Sequence, residues 1–459
     1  MSFGEGQAAE ELAALGYKQE LKRSLGLIDL VVYGLVFISP IAPWAVFGFV
    51  YNLSKGMAPL VYMVGLAAML FTALSYMSMV RAVPTAGSVY AYAGKALAPW
   101  VGFLAGWALL LDYLLIPSLA YIVAAIAMHE VLPEVPKWAW ITVFVFGVTA
   151  VNLAGIEATT GANKLLLVVQ LVLLVAFIGL AAVGIAHGTA GAHLSAAPLF
   201  QPGVVTPGLL FGALSVAALS FLGFDAISTL AEESKGGPRA VGFATLIALA
   251  VAALLFALQT WLASLFVLGR PSFPPGDASA GAFLDVTGLV GGPLFKIAAS
   301  VGGLALSAVA GAVVGQAAAA RLVYSMARDG KLPRLLAHVH GTRKSPDRAI
   351  LALGVISLVL GLSLVDHLEL LASLLNFGAL TGFLMLHLSV VVYFTIRRRG
   401  RFQLFRHLIS PTLGFLVIGY VLWRMDDHAK LLGLTWLGLG IVVLAFLTLR
   451  GKPATLPGG

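Results

Sequence analysis

The sequence predicts an all-α polytopic membrane protein with twelve transmembrane helices, and three observations support this prediction. Hydrophobic residues make up 60% of the 459 residues and charged residues only 10%. The mean hydropathy of +0.98 exceeds what a soluble domain tolerates, because such a domain needs far more polar surface. Apolar stretches of about 20 residues, the length that crosses a hydrocarbon core of about 30 Å, recur along the whole chain.

The predicted spans follow one another with short polar loops between them. They cover residues 25–50, 58–80, 98–128, 137–155, 162–186, 206–231, 241–268, 290–325, 348–365, 368–396, 409–425 and 431–449. Residues 1–24 and 450–459 are expected to be polar ends. Because residues 1–23 do not have the pattern of a cleavable signal peptide, the first span is expected to stay in the protein.

The placement of Lys and Arg predicts the orientation. Of the 28 Lys and Arg residues, only six fall in the loops that would lie outside if the N-terminus is inside. These six are Lys55, Lys137, Arg270, Lys296, Arg424 and Lys430. The positive-inside rule then places both termini in the cytoplasm and the whole chain in a lipid bilayer.

Several other classes of protein are disfavoured by the sequence. The formal charge of +8 is spread over helix ends and alternate loops, which argues against a nucleic-acid binder. The chain has no cysteine, no phosphate-binding loop and no zinc-ligand spacing, so we expect neither a metal nor a cofactor, and no catalytic residues. A cation channel and a substrate sensor remain alternatives to a transporter.

Two of the predicted spans are interrupted at corresponding places. The first contains Ser39-Pro40-Ile41-Ala42-Pro43, where two prolines remove amide donors from the helix. The sixth contains Ser220-Phe221-Leu222-Gly223-Phe224-Asp225. Paired interruptions are typical of inverted-repeat transporters with a substrate site at the midplane. We therefore expect residues 25–186 and 206–396 to form two five-helix repeats of one transport core (25–396), followed by two additional helices within 409–449. The alternative is that each interruption only kinks a packed helix.

Two carboxylates are predicted at membrane depth, where an ionisable group is costly and therefore a functional candidate. We predict that Asp112 couples transport to protons and that Asp225 faces a substrate ammonium and also takes part in coupling, although the roles could be exchanged. Pro40 and Pro43 delete donors that a substrate carboxylate would need. Trp44, Phe221 and Phe224 could stack on an amine, although ordinary packing is the alternative for each, as it is for His387.

Three segments of the sequence resemble the amino acid–polyamine–organocation superfamily. They are Arg81–Tyr92 (Arg-Ala-Val-Pro-Thr-Ala-Gly-Ser-Val-Tyr-Ala-Tyr), Phe221–Arg239 with its Gly-Phe-Asp, Glu-Glu and Pro-Arg pairs, and Ala320–Pro333 with Ala-Arg-Asp-Gly. The resemblance implies a LeuT-like fold with a five-plus-five inverted repeat and broken helices 1 and 6. It also implies a secondary transporter in the bacterial inner membrane, with protons and a small molecule as its partners.

Within that superfamily, Gly106–Pro117 and Asn376–Leu380 are most similar to bacterial putrescine importers. The resemblance therefore implies import of small organic amines, with a proton-coupled amino acid permease or an amino acid/amine exchanger as the alternative. The residues expected at the substrate are Ser39, Pro40, Ile41, Ala42, Trp44, Tyr113, Phe221, Gly223, Phe224, Asp225, Ser307 and Asn376, and Tyr90 and Tyr92 are expected to gate it. One departure concerns the fifth span, where Gln170 is the polar group at the place where some relatives carry a lysine.

Overall fold

The computed structural model describes residues 23–85, 87–132, 134–274, 277–365, 368–397, 401–425 and 427–449. Within these residues the chain is helical, and an isolated bridge between Leu25 and Ser234 is the one β-type pairing found there. The predicted polar ends, 1–24 and 450–459, lie outside the described residues except for residues 23 and 24.

The α-helices are α1 (Leu27–Ile38), α2 (Phe47–Leu53), α3 (Ala58–Ala82), α4 (Ser88–Ala96), α5 (Pro99–Val131), α6 (Lys137–Leu153), α7 (Ile156–Ala186), α8 (Pro207–Phe221), α9 (Gly237–Leu265), α10 (Asp277–Ala280), α11 (Ala282–Ala298), α12 (Leu306–Arg328), α13 (Asp347–Ser363), α14 (Leu368–Val391), α15 (Ser410–Arg424) and α16 (Asp427–Leu449).

Ten helical stretches in the described part of the chain are long and apolar enough to cross a membrane. The helices that correspond to the fourth and ninth predicted spans, α6 and α13, are shorter, with 17 residues each. At 1.5 Å per residue such a helix is about 25 Å long, which is the short end of the range for a membrane span. Ten crossings are therefore supported directly, and twelve stays a prediction.

The first interruption lies where the two prolines predict it. Helix α1 ends at Ile38, Ser39 adopts a positive φ of 60°, and a 3₁₀ turn at Ala42–Ala45 leads into α2. Proline has no amide hydrogen and its ring clashes with the preceding turn, so the helix cannot continue through Pro40 and Pro43.

The second interruption lies at Gly223. Helix α8 ends at Phe221, and the chain continues as a 3₁₀ turn over Phe224–Leu230. Gly223 has a φ of 112°, which favours glycine. A Cβ atom at Gly223 would lie 2.8 Å from Cγ of Phe37, so the absence of a side chain also lets the second interruption approach the end of α1.

Two parts of the span prediction need correction. The eighth span begins at Ala282 rather than residue 290, and runs through a kink at Gly292 and a π-helical turn (Ala299–Ala305) to Arg328. The segment after the second span, expected as a connection, contains the helix α4. Helix α4 has only nine residues, too few for helical periodicity to identify it, and all of them except Lys95 are buried.

Burial separates the helices that build the centre from those at the rim. In the most apolar 18-residue stretch of the span that contains α1, 61% is buried inside the protein, and in that of the sixth span 67% is buried. Only 11% is buried in the last span, whose Leu449 and Val442 are exposed. An apolar helix that is exposed on most of its surface requires a hydrocarbon surrounding.

Candidate functional site

A cavity of about 200 Å³ lies between the two helix interruptions. We refer to it as the central cavity. Its walls come from both interruptions, from α5 and from the π-helical turn before α12. The lining includes Phe37, Ile38, Ser39, Ile41, Ala42, Ile116, Leu119, Ser220, Leu222, Gly303 and Ser307.

The central cavity is mostly apolar, and none of the described residues that line it is charged. Its side-chain hydroxyls are those of Ser39, Ser220 and Ser307. Ser39 donates to Oε1 of Gln170 at 3.2 Å and Ser220 pairs with Tyr62, while Oγ of Ser307 has no partner among the described residues. The cavity thus offers an aliphatic surface with few polar contacts.

Backbone amides near the first interruption are already hydrogen-bonded within the chain. The amide of Ala42 donates to Ser39 O at 2.9 Å, that of Trp44 to Ile41 O at 3.0 Å, and that of Val46 to Pro43 O at 3.1 Å. Pro40 and Pro43 have no amide hydrogen to offer. A carboxylate in the central cavity would therefore find few backbone donors at this interruption.

Asp112 and Asp225 lie outside the lining of the central cavity and are each 1% exposed. We call them the carboxylate pair, because the charge of Asp225 acts on the neighbouring Asp112. The phenol of Tyr113 donates a hydrogen bond to Oδ2 of Asp225. Phe37, which lines the cavity, has its ring centroid 6.5 Å from that of Tyr113. Phe37 and Tyr113 thus connect the cavity to the pair.

Aromatic rings lie near the carboxylate pair, whose charges act on Tyr76. The Tyr76 ring lies 6.0 Å from Phe224, 6.1 Å from Phe383 and 6.3 Å from Tyr92. Among the described residues, Oδ1 of Asp112 has no hydrogen-bond partner. Buried polar groups without a protein partner require water or a ligand.

Neither carboxylate forms an ion pair with a basic side chain among the described residues. An unpaired buried carboxylate is costly unless a proton or a cation accompanies it. The arrangement is suited to binding a positively charged group or exchanging a proton.

Several predicted substrate residues pack away from the central cavity. Trp44 stacks on Phe283 at 5.1 Å. Phe221 packs against Tyr62 and Phe256, at 5.9 Å and 5.5 Å. For these two aromatic residues the structure shows the packing that was the alternative interpretation.

The remaining predicted residues have different surroundings. The carbonyl of Pro40 accepts from Nε2 of Gln259 at 2.8 Å. Asn376 precedes the turn of α14 that packs on Asp112: a Cβ atom at Gly378 would lie 3.1 Å from Asp112 N. Oδ1 of Asn376 is buried without a partner among the described residues. Of the twelve predicted substrate residues, Ser39, Ile41, Ala42 and Ser307 line the cavity.

His387 is a packing residue in this structure. Its Nε2 pairs with Oγ1 of Thr72 at 3.2 Å and its Nδ1 with Oγ of Ser75 at 3.0 Å. Gly414 lies against the same ring, where a Cβ atom would come within 2.2 Å of Cε1. Both ring nitrogens are therefore occupied, which fits a structural role better than a proton relay.

Buried ion pairs lie near the C-terminal end of α12. Arg321 forms a bidentate contact with Glu233 and also reaches the hydroxyl of Tyr33 at 3.5 Å. Arg328 pairs with Glu232 at 3.0 Å. We call this the charged end. Since Glu232 and Glu233 follow the second interruption, these pairs connect it to the last turns of α12.

Tyr90 also reaches the charged end, because its hydroxyl donates to Oδ2 of Asp329 at 2.7 Å. This hydrogen bond links α4 to the residue that follows α12. Tyr92 lies two residues further along α4 and packs against Tyr76 near the carboxylate pair instead. The two predicted gating residues thus occupy different environments.

The ion pairs and Phe37 were not among the residues predicted for the site. Four charged residues at the ends of apolar stretches, Glu232, Glu233, Arg321 and Arg328, were a usable signal, because charges at such positions are costly unless they are paired. Phe37 gave no signal, since a phenylalanine in an apolar helix is most often a packing residue.

Comparison with known proteins places most of the chain in one family. The family model described as "Amino acid permease" matches residues 30–454. The chain is 33% identical over 434 residues to the "Low-affinity putrescine importer PlaP" of Escherichia coli (strain K12), with 94% of both chains covered.

More distant relatives carry other substrate names. The chain is 26% identical to the "Branched-chain amino acid permease BcaP" of Bacillus subtilis (strain 168), with 94% of both chains covered. It is 27% identical to the "Methylthioribose transporter" of the same organism, with 94% of this chain and 93% of the relative covered. All three relatives are named as transport proteins, although their named substrates differ.

Proposed function

The chain belongs to the amino acid permease family, and from this membership and the carboxylate pair we propose that it is a secondary active importer of small organic amines such as putrescine. Family membership makes it a membrane transporter rather than an enzyme. The observation that carries the proposal is the pair of buried carboxylates, Asp112 and Asp225, which have no basic partner in the described part of the chain.

The chemistry of the cavity favours an amine over a zwitterion. A substrate carboxylate would lose its water of hydration, which costs several kcal/mol when partners are lacking. The amides of Ala42, Trp44 and Val46 are already hydrogen-bonded, so they cannot replace that water. An alkylammonium group needs acceptors instead, and the carboxylate pair supplies them.

The alkyl chain of such an amine also has a place to bind. Ile41, Ile116 and Leu119 line the central cavity, and its volume of about 200 Å³ is small compared with a drug-sized pocket. An amine with a short methylene chain could lie against these residues and direct its ammonium group towards Tyr113 and Asp225.

The carboxylate pair is also the basis for proton coupling. Two neighbouring carboxylates in a dry site are not both stable as anions. When the ammonium of a substrate binds at Asp225, a proton on Asp112 can neutralise the second carboxylate, so that substrate and proton are carried in the same direction. Asp112, whose Oδ1 has no hydrogen-bond partner among the described residues, is the proposed site of that proton.

Alternating access would require the charged end and the Phe37 region to open in turn. We propose that the ion pairs Arg321–Glu233 and Arg328–Glu232 and the hydrogen bond from Tyr90 to Asp329 form the gate on the cytoplasmic side. The proposal includes twelve membrane crossings, a five-plus-five inverted repeat, and both termini in the cytoplasm of a bacterial cell.

A proton-coupled amino acid permease, or an amino acid/amine exchanger, is the second candidate. The apolar lining of the central cavity favours it, because Ile41, Ile116 and Leu119 could equally contact an aliphatic side chain. The similarity to a branched-chain amino acid permease supports the same candidate.

The test is uptake of labelled putrescine by the purified protein in liposomes. We expect accumulation when the liposome interior is alkaline and the medium contains no sodium. Accumulation that requires a sodium gradient would contradict proton coupling. Putrescine uptake that stays at the level of empty liposomes while a neutral amino acid accumulates would favour the second candidate.

A further inference from the structure

A second pocket, of about 290 Å³, shares no lining residue with the central cavity and contains neither member of the carboxylate pair. It is formed where the last turn of α3 meets the π-helical turns at Val392–Ile396 and Phe405–Ile409. Its polar lining comes from Ser78, Arg81, Gln403, Arg406 and His407. We call it the arginine pocket.

The arginine pocket carries positive charge, and no carboxylate is among the described residues that line it. Electrostatic repulsion from Arg406 and Arg239 acts on Arg81, and Nε of Arg81 is buried with no hydrogen-bond partner among the described residues. The sequence has no Asp or Glu from 30 to 111, from 234 to 276 or from 370 to 425. These ranges contain all three arginines, so no carboxylate on the same segments can neutralise them.

His407 adds a further donor to this pocket. Its ring stacks on Phe394 at 3.8 Å, and its Nδ1 accepts a hydrogen bond from the amide of Gln403 at 3.0 Å. Since Nδ1 is an acceptor, Nε2 carries the hydrogen of the neutral ring. The stacking on Phe394 and the hydrogen bond from the Gln403 amide hold the Nε2 donor of His407 in a fixed orientation.

Exposed apolar side chains lie on the same segment as Arg406. Phe402, Leu404, Phe405 and Leu408 are 46%, 57%, 55% and 38% exposed. They would contact the acyl region of a bilayer while Arg81 and Arg406 lie at the level of the head groups. Basic pockets between transmembrane helices on the cytoplasmic side are suited to the head groups of anionic lipids.

We propose that the arginine pocket binds a phosphate group, and that the source of this group is an anionic phospholipid of the inner leaflet. A guanidinium group donates parallel hydrogen bonds to two phosphate oxygens, so Arg81 and Arg406 would contact the phosphate directly. The bound lipid would join α3 to the segment before α15. This inference does not depend on which substrate the carboxylate pair binds.

The test uses the full chain, purified in a neutral detergent, with thermal unfolding measured against added lipid. The lipids are phosphatidylglycerol and, as a zwitterionic control, phosphatidylcholine, and a third series contains inorganic phosphate alone. The variants are Arg81→Gln and Arg406→Gln. Arg334→Gln is the matched control, because Arg334 is an exposed arginine outside the pocket lining.

We expect phosphatidylglycerol to raise the unfolding temperature of the unmodified chain and phosphatidylcholine to do so less. Each pocket variant should need about tenfold more phosphatidylglycerol for half of the effect, the loss expected for one hydrogen bond to a charged group. The Arg334→Gln chain should behave as the unmodified one.

If inorganic phosphate protects equally and through the same arginines, the pocket is a phosphate site supplied from solution. Equal protection of the pocket variants and of Arg334→Gln would overturn the proposal, as would the absence of protection by any of the three compounds.

Discussion

The phenol of Tyr113 donates a hydrogen bond to Oδ2 of Asp225, across 112 residues of sequence. This contact joins the middle of α5 to the second helix interruption. It gives Asp225 a fixed partner, whereas Oδ1 of Asp112, one residue before Tyr113, has no hydrogen-bond partner among the described residues. The two carboxylates therefore differ in their surroundings, which supports different roles: a fixed acceptor for an ammonium group and a site for a proton.

We predict that Asp112→Asn abolishes uphill accumulation of substrate and leaves exchange or binding measurable. An amide has nearly the shape of a carboxyl group but cannot take up and release a proton. The measurement is uptake by proteoliposomes with an imposed pH gradient, compared with counterflow at equal pH.

Asp285→Asn is the matched control for that experiment. Asp285 is exposed and pairs with Lys296 at 2.7 Å, far from the carboxylate pair in sequence and outside the central cavity. It should transport as the unmodified chain does. Undiminished concentrative uptake by the Asp112→Asn chain would rule out Asp112 as the coupling group.

We predict that Tyr113→Phe weakens amine binding by about tenfold, because Asp225 loses a hydrogen bond that holds it in position. A hydrogen bond to a charged group contributes about 1.5–3 kcal/mol, and about 1.4 kcal/mol corresponds to a factor of ten. Tyr121→Phe is the control, since the Tyr121 hydroxyl is buried and lacks a partner in the described part of the chain. Binding that falls equally in both variants would show a general effect on packing.

The sequence was most informative about the backbone. Pro40 and Pro43 forced the first interruption, and Gly223 marked the second, because both residue types limit the helix in a way that surroundings rarely override. The burial of Asp112 and Asp225 could be expected from their place in apolar stretches. These features depend on local chemistry and can be derived from one sequence.

Side-chain direction could not be derived in the same way. Trp44 and Phe221 were expected to face substrate and instead pack against Phe283, Tyr62 and Phe256. A helix that is apolar all round has no periodicity from which its inner face can be read. The pairing of Arg321 with Glu233 also needed the fold, because 88 residues separate them.

We predict that Arg321→Gln lowers the free energy of unfolding by about 3–5 kcal/mol, since Glu233 would remain buried without its partner. The side chains of Arg321 and Glu233 are only 6% and 3% exposed. Lys296→Gln provides the comparison, because the Lys296–Asp285 pair is about half exposed and such pairs contribute at most about 1 kcal/mol. Denaturant unfolding in detergent measures both changes.

The double variant Arg321→Gln/Glu233→Gln separates stability from gating. Two neutral amides can hydrogen-bond to each other, so the double variant should regain part of the stability that Arg321→Gln loses. If the pair also closes the cytoplasmic side, the double variant should leak substrate or bind it without coupled uptake. A double variant that is less stable than Arg321→Gln alone would contradict the view that Arg321 stabilises the protein mainly by pairing with Glu233.

We predict that a cysteine at His193 reacts with a membrane-impermeant maleimide from outside the cell, and a cysteine at Arg334 only after the membrane is opened. His193 follows the fifth predicted span and Arg334 follows α12, and both are exposed. The chain has no native cysteine, so each label reports one site. His193 is preferable to its neighbour Gly191, whose φ of 77° would strain any other residue. Labelling in the reverse order would invert the proposed orientation.

The last prediction concerns the substrate, and it uses three compounds with the same four-carbon chain. Putrescine has an amine at both ends, butylamine has one amine, and in γ-aminobutyrate the fourth carbon is a carboxylate carbon in place of the second aminomethyl group. All three can place their methylenes against Ile41 and Leu119 in the central cavity. They differ in the group that faces the polar surroundings. Because the amides of Ala42 and Trp44 are already hydrogen-bonded and the carboxylate pair is negative, γ-aminobutyrate should bind most weakly. Its carboxylate would be desolvated without partners, at a cost of several kcal/mol, and would also be repelled by Asp225.

Competition against labelled putrescine in proteoliposomes should therefore rank putrescine first, butylamine second and γ-aminobutyrate last, with the last at least about a hundredfold weaker. Leucine belongs in the same assay, because the second candidate predicts that it competes at lower concentration than putrescine. That result would show that the cavity serves an amino acid and that donors other than the amides at the first interruption hold its carboxylate.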